Sequence, residues 1–109
     1  MILITIFQNH ECETVGFSCI GHADFAEEGS DIICAGVSSL VINTVNSIEA
    51  FTSDEAIVST DPVTGKIDFT FKSKAGHDSL LLIDSMILGL QGIQNDYGDE
   101  YVSLNFKEV

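Results

Sequence analysis

Positive charge is scarce in this chain of 109 residues, which has four lysines and no arginine against 17 aspartates and glutamates. The formal net charge at pH 7 is therefore −13. Nucleic-acid binding needs clustered cations, and a bidentate phosphate clamp needs arginine. We therefore expect no nucleic-acid partner. The acidic field favours a basic partner instead, because it attracts such a molecule over a long range.

Targeting and membrane-spanning segments are also missing from the sequence pattern. Residues 1–7 are apolar, but no basic region precedes them, and the run is too short for a signal peptide. The richest apolar stretch, Leu80 to Leu90, is interrupted by Asp84 and Ser85. We therefore expect a cytoplasmic protein with no membrane partner. Three cysteines in a reducing compartment argue against a disulfide framework and leave free thiols, a metal site or a nucleophile.

The composition, 45% hydrophobic and 19% charged, is enough for one hydrophobic core, and the length predicts a single domain over residues 1–109. Alternating and helical periodicity predicts seven elements. They are strands at residues 1–8, 14–20, 55–60, 66–72 and 101–107, a helix from an N-cap at Ser30 or Asp31 to about residue 53, and a helix from Asp78 or Ser79 to about residue 95. This ββαββαβ order indicates an α+β fold, with a mixed or antiparallel sheet packed against two helices.

The second predicted helix has an unusually wide apolar face, since Leu80 to Ile83 and Met86 to Leu88 are all apolar. A helix that rests on one sheet needs an apolar stripe on one side only. The pattern therefore fits two arrangements, a subunit interface or a helix enclosed within the monomer.

Cys34 is the first candidate for chemistry, because it follows a loop bounded by glycines at the point where the first helix begins. Backbone amides in the first turn of a helix have no partner, and with the helix dipole they stabilise an anion such as a thiolate. The same amides can bind a developing oxyanion. The alternative is a cysteine that packs as a small hydrophobic residue.

His22 lies at the other end of that loop, and loop closure at this length has a modest entropic cost. A Cys–His contact would form a nucleophile with its base, whereas the plain alternative is a solvated histidine. Asp31, or less favourably Asp24, is placed to orient the imidazole, although Asp31 also fits an N-cap. Ser38 lies one turn after Cys34 and is expected either to hydrogen-bond near the site or to bond back into the helix.

A structural zinc site is the metal alternative, because Cys12, Cys19, His22 and Cys34 are suitable ligand types. Their spacing lacks the paired knuckles of ordinary zinc modules, and we take His10 and His77 to be surface residues. The glycines do not match a phosphate-binding loop. We therefore expect neither a metal nor a cofactor.

Two segments, Gly21–Ala23 (GHA) and Gly29–Ser38 (GSDIICAGVS), resemble the signature of the ribosomal-processing cysteine protease family, Prp. The chain length, the order of elements and the leucine-rich second helix are similar as well. The resemblance implies a small cytoplasmic bacterial endopeptidase, usually a homodimer. It implies removal of a short N-terminal extension from a large-subunit ribosomal protein, after an aromatic residue.

Carried over by residue, the resemblance makes Cys34 the nucleophile and His22 its base and acid. Asp31 and Ser38 match signature positions with supporting roles. The segment at about 21–33, with Gly21 and Gly29, would be a mobile loop that closes over substrate. The competing hypothesis is a non-catalytic acidic module that binds a basic ribosomal or assembly protein.

Overall fold

The computed structural model describes residues 1–21 and 30–109, with the side chains of residues 30 and 31 outside the description. Five strands and two helices follow the predicted order. They are β1 (Ile2–Gln8), β2 (Thr14–Ile20), α1 (Ser30–Phe51), β3 (Ala56–Asp61), β4 (Lys66–Phe71), α2 (His77–Tyr97) and β5 (Val102–Glu108).

The strands form one sheet in the order β3-β4-β2-β1-β5. Neighbouring strands are antiparallel except for β1 and β5, which are parallel. The parallel pair arises because α2 carries the chain across the sheet from β4 to the far edge. The predicted α+β class and mixed sheet are thus confirmed.

One face of the sheet carries the hydrophobic core. Ile4 is paired with Cys19, and Phe17 is paired with both Ile6 and Phe69, so these side chains share a face. The rings of Phe17 and Phe69 stack with their centroids 4.9 Å apart. Apolar side chains of both helices join this cluster, so the domain has two layers, with the helices on one face and solvent on the other.

The two helices are antiparallel neighbours. A Cβ added to Gly89 of α2 would lie 2.9 Å from Leu40 of α1, and one added to Gly36 would lie 3.5 Å from Ile93. These contacts bring the start of α1 beside the end of α2.

The first helix is more apolar than we predicted from the sequence, where we took Leu80 to Leu90 as the richest apolar stretch. The segment Ile32–Phe51 has a mean hydropathy of 1.4 and, by length and composition alone, could cross a membrane. Part of this content is explained by the core, which buries Ile33, Val37, Val41 and Ile48.

The burial of its side chains distinguishes between the two arrangements that the sequence left open for α2. Ile83, Met86, Ile87 and Leu90 face the core, whereas Leu88 and Leu81 on the other side are exposed. In the part of the chain that the structure describes, α2 is therefore covered on one side only.

Both helices begin slightly earlier than predicted. Because α1 includes Ser30 and Asp31, neither residue precedes the helix as its N-cap, and residues 30–33 of the predicted loop are helical here. Gly76 is the N-cap residue of α2, and a distant residue, which the local pattern could not indicate, holds the start of the helix. The Asp54 carboxylate accepts hydrogen bonds from the Gly76 N–H (2.9 Å) and the Ser79 hydroxyl (2.6 Å).

Candidate active site

Cys34 is the fifth residue of α1 and lies at the start of its second turn. Its side chain is half-buried and packs against the hydrophobic core, while Ile33 and Val37 anchor this part of the helix to the sheet. Side chains on an α-helix lean towards its N-terminus. A thiol at this position is therefore directed towards the first turn, where backbone N–H groups have no partner within the helix.

Cys19, near the end of β2, was considered in the sequence only as a candidate zinc ligand. It is buried, and desolvation together with the charge of Cys34 raises its pKa to about 11. Cys19 therefore stays a neutral thiol at physiological pH. The sequence did contain a signal for the location of Cys19. It follows Phe17 in the alternating pattern of β2, which puts both on the core face, and it precedes His22 by three residues.

Gly21 sets the direction in which the chain leaves β2. Its φ angle is 116°, in the region that only glycine occupies readily, and a Cβ there would overlap the carbonyl oxygen of Met1. His22 follows directly in the sequence. The backbone geometry at Gly21 therefore controls the direction in which the chain departs towards the proposed base.

The structure describes only some of the other predicted site residues. Ser38 is half-buried on α1, one turn after Cys34. His22 and Gly29 lie outside the described residues, and so does the side chain of Asp31. The proposed Cys34–His22 contact therefore remains a prediction.

The four candidate zinc ligands are not all brought together. Cys12 lies in the β1–β2 turn, with a φ of 63°, at the opposite end of β2 from Cys19. The five-residue step from Thr14 to Cys19 alone spans roughly 16 Å in an extended strand. Among the side chains of residues 1–21 and 32–109, no three His, Cys, Asp or Glu residues are grouped closely enough to hold a metal ion.

The end of the molecule that carries Cys34 is acidic. Ile93, the neighbour of Gly36, is followed in the chain by Asp96, Asp99 and Glu100. Hydrogen bonds, first of all from the Val63 N–H, hold the pKa of Asp61 below its ordinary value. Asp61 ends β3 and is paired with Lys66, and the next residue, Ile67, is paired with Cys19. This end can therefore attract a positively charged peptide.

Known proteins match this chain over nearly its whole length, both in sequence and in structure. Residues 1–103 match the family model described as cysteine protease Prp. The ribosomal processing cysteine protease Prp of Bacillus subtilis is 35% identical over 103 residues, covering 91% of this chain and 92% of that protein.

Two solved structures of the essential ribosomal processing protease Prp from S. aureus are similar over 98% of this chain and 100% of theirs. The complex with a substrate peptide gives a TM-score of 0.90 at 31% identity. The complex with a covalently linked product peptide gives 0.88 at 32% identity. Fold, length and element order thus agree with proteins that have been seen with peptides bound.

Proposed function

The chain belongs to the cysteine protease Prp family, and on this basis we propose that it removes a short N-terminal extension from a large-subunit ribosomal protein. The observation that carries the proposal is the match over nearly the whole chain to proteases of that name, one of them bound to a substrate peptide. The position of Cys34 near the start of α1 supports it from within the molecule.

Acylation begins at Cys34. Its thiolate attacks the carbonyl carbon of the scissile peptide bond, and the carbonyl oxygen becomes an oxyanion. Unpartnered N–H groups of the first turn of α1 stabilise that charge. The carbon–nitrogen bond then breaks, and the amine leaves with a proton from the His22 imidazolium. The N-terminal fragment remains attached to Cys34 as a thioester.

Deacylation reverses the roles of the same groups. Neutral His22 takes a proton from water as the water oxygen attacks the thioester carbonyl. The tetrahedral intermediate collapses with release of the thiolate, and the fragment leaves as a free carboxylic acid. Asp31 is proposed to orient the imidazole, Ser38 to support the site, and the loop with Gly21 and Gly29 to close over substrate.

Charge is proposed to bring the substrate to the site. The proposed substrate is the lysine-rich start of a ribosomal protein, which a chain of net charge −13 attracts while it repels ribosomal RNA. Cleavage of the free protein before assembly is therefore easier than cleavage on the ribosome. The kcat/KM for a lysine-rich substrate should fall as salt rises, because ions screen the attraction. A rate independent of salt would contradict this steering.

A cytoplasmic homodimer is the proposed setting. Cys12, Cys19 and Cys34 are all free thiols, which is consistent with a reducing compartment. The substrate is a basic extension, and we propose neither a nucleic-acid partner nor a membrane partner.

The test is cleavage of a candidate ribosomal protein, followed by mass spectrometry of the products. The wild-type protein should release the N-terminal fragment, and Cys34→Ala should release none while folding normally. Cys12→Ala is the matched control, because that thiol is exposed at the far end of β2 and its loss should leave the rate unchanged. Equal cleavage by the Cys34→Ala variant would refute the assignment, and binding without any product would favour a non-catalytic module.

A further inference from the structure

The two edges of the sheet differ in how far their backbone groups are used. The edge strands are β3 and β5. At β5, the Leu104 N–H donates a hydrogen bond to the side-chain oxygen of Gln94 (3.1 Å), and the Val102 N–H donates to the Gly98 carbonyl oxygen (3.5 Å). The end of α2 and the turn after it therefore cover the first part of the β5 edge.

The edge of β3 is open in the described part of the chain. The Lys72 N–H donates to the Glu55 carbonyl oxygen (3.0 Å), and opposed residues of an antiparallel pair alternate between hydrogen-bonded and non-hydrogen-bonded positions. Ala56, Val58 and Thr60 therefore direct their N–H and C=O groups away from β4. Among residues 1–21 and 30–109, no backbone hydrogen bond is formed to these outward groups. We refer to them as the β3 edge.

The strand β3 also lacks the features that keep an edge strand from pairing. Natural edge strands are protected by lysine, proline, a bulge or a covering element. The strand Ala56–Asp61 contains no lysine or proline, and its register with β4 runs without a bulge. Ile57 and Val58 are 59% and 45% exposed. An open edge of this kind accepts an extended peptide as an additional strand, which is held by main-chain hydrogen bonds.

The β3 edge ends close to the part of the molecule that carries Cys34. Thr60 is paired with Ile67, and Ile67 is paired with Cys19. Two strand spacings therefore separate Thr60 from Cys19, which is roughly 10 Å. Cys19 lies in the core cluster against which Cys34 packs. A substrate chain whose scissile bond is at Cys34 can therefore reach the β3 edge within a few extended residues.

A groove between α1 and β3 adjoins the β3 edge. Its lining includes the apolar residues Val45 and Ile48 of α1 and Val58 of β3, together with Glu49 and Glu55. Glu49 is exposed, whereas Glu55 is paired with a lysine at 3.5 Å. The side chains of an added strand alternate between this groove and the solvent face of the sheet. The groove therefore suits a peptide that carries lysine beside apolar residues.

We propose, on the basis of the proposed function, that the lysine-rich segment of the substrate beside the scissile bond binds along the β3 edge as an additional strand. The outward N–H and C=O groups of β3 hold its main chain. Exposed Glu49 at one end and exposed Asp61 at the other attract its lysines. A second copy of this chain fits the edge less well, because both copies carry a net charge of −13. The β3 edge thus adds affinity for the substrate without touching the reacting bond.

The test measures KM and kcat for two substrates, the full-length candidate ribosomal protein and a short peptide that spans only the scissile bond. Val58→Pro removes an outward N–H without breaking a hydrogen bond to β4. It should raise the KM of the full-length substrate by about 10-fold and leave kcat unchanged, because it removes an interaction that ground state and transition state share. The short peptide should be cleaved as it is by the wild-type chain.

Glu108→Pro is the matched control. The Val109 N–H donates to the Gln8 carbonyl oxygen, so the preceding Glu108 directs its N–H away from β1. The variant therefore removes one outward N–H from the opposite edge of the sheet. It should change neither the KM of the full-length substrate nor that of the short peptide.

Glu49→Gln provides a second test that leaves the backbone of β3 unchanged and decides the question if Val58→Pro does not fold. It should raise the KM of the full-length substrate by roughly 3-fold at low salt, and the difference from wild type should disappear at high salt. Asp84→Asn is its control, because it removes an exposed carboxylate from the other helix. That variant should leave the KM unchanged.

The outcomes separate this inference from the proposed function. An unchanged KM for the full-length substrate in the folded Val58→Pro and Glu49→Gln variants would overturn the inference, and so would an equal rise in Glu108→Pro or with the short peptide. Altered sedimentation of Val58→Pro would assign the edge to a second copy and overturn it as well. In each case, cleavage of the short peptide leaves the proposed function intact. If the wild-type chain cleaved neither substrate, the proposed function would fail and the inference with it.

Discussion

The beginnings of the two helices present a contrast between a stabilising arrangement and a proposed reactive one. At α2, the Asp54 carboxylate accepts hydrogen bonds from Gly76 and Ser79, so a side chain of the protein itself supplies the anion. At α1, Cys34 lies at the start of the second turn, and the first-turn amides are proposed to bind a thiolate and then an oxyanion. The same physical property of a helix N-terminus can therefore support either stability or catalysis, depending on which anion is placed there.

The largest expected effect separates His22, which precedes α1 in the sequence, from His77 at the start of α2. His22→Ala should lower kcat by about 10²–10⁴-fold, because it removes the general base and acid. His77, the exposed first residue of α2, pairs with its neighbour Asp78, and His77→Ala should leave kcat unchanged. Steady-state cleavage assays measure both. Full activity of the His22→Ala variant would remove the proposed base from the mechanism.

The next effect concerns the glycines Gly21 and Gly76. Gly21→Ala should lower the free energy of unfolding by about 1–3 kcal/mol, because of its positive φ and the overlap with Met1. Gly76 has an ordinary φ of −79°, and an added Cβ would lie 3.3 Å from Asp54, so Gly76→Ala should change stability by less than about 1 kcal/mol. Urea denaturation of both variants checks this difference. Equal losses would show that the turn at Gly21 is not specially constrained.

The smallest effect is a pH-dependent change in stability at the start of α2. Hydrogen bonds from Ser79 and Gly76 hold the pKa of the Asp54 carboxyl below its ordinary value of 3.8. Because the folded-state pKa is the lower one, the stabilisation is present above pH 3.8 and is lost as the pH falls through the folded-state pKa.

Thermal melts of wild type and Asp54→Asn should therefore differ near neutral pH, with the variant less stable, and should converge at low pH. Cleavage by the folded variant should be unchanged, since Asp54 lies at the end of α1 remote from Cys34. A gap in melting temperature that persists below the folded-state pKa would contradict the role assigned to Asp54.

Local sequence patterns were sufficient to predict most of the fold. Alternation in β2 and β4 placed Phe17 and Phe69 on the core face, and Gly65 takes a positive φ in the turn that joins β3 to β4. The order of elements followed from such short-range signals. The parallel pairing of β1 with β5 and the hydrogen bonds from Gly76 and Ser79 to Asp54 did not, because each joins residues far apart in the chain.

Less of the candidate site than of the fold could be predicted from local sequence patterns. Residue types and spacing identified Cys34 and His22 as a possible pair, and the family resemblance supplied their roles. Cys19 lies in the core cluster against which Cys34 packs, an arrangement that depends on how β2 packs against α1 and that no local pattern specifies. The same holds for the exposed side of α2, because periodicity alone cannot tell an apolar face that meets the sheet from one that remains exposed.

The covalent intermediate on Cys34 is the central claim, and intact-protein mass spectrometry of a rapidly quenched reaction tests it most directly. We predict an added mass equal to the N-terminal fragment less one water, which peptide mapping places on Cys34 and which disappears in Cys34→Ala. Cleavage that proceeds in Cys34→Ala, or an adduct located on Cys12 or Cys19, would contradict the account.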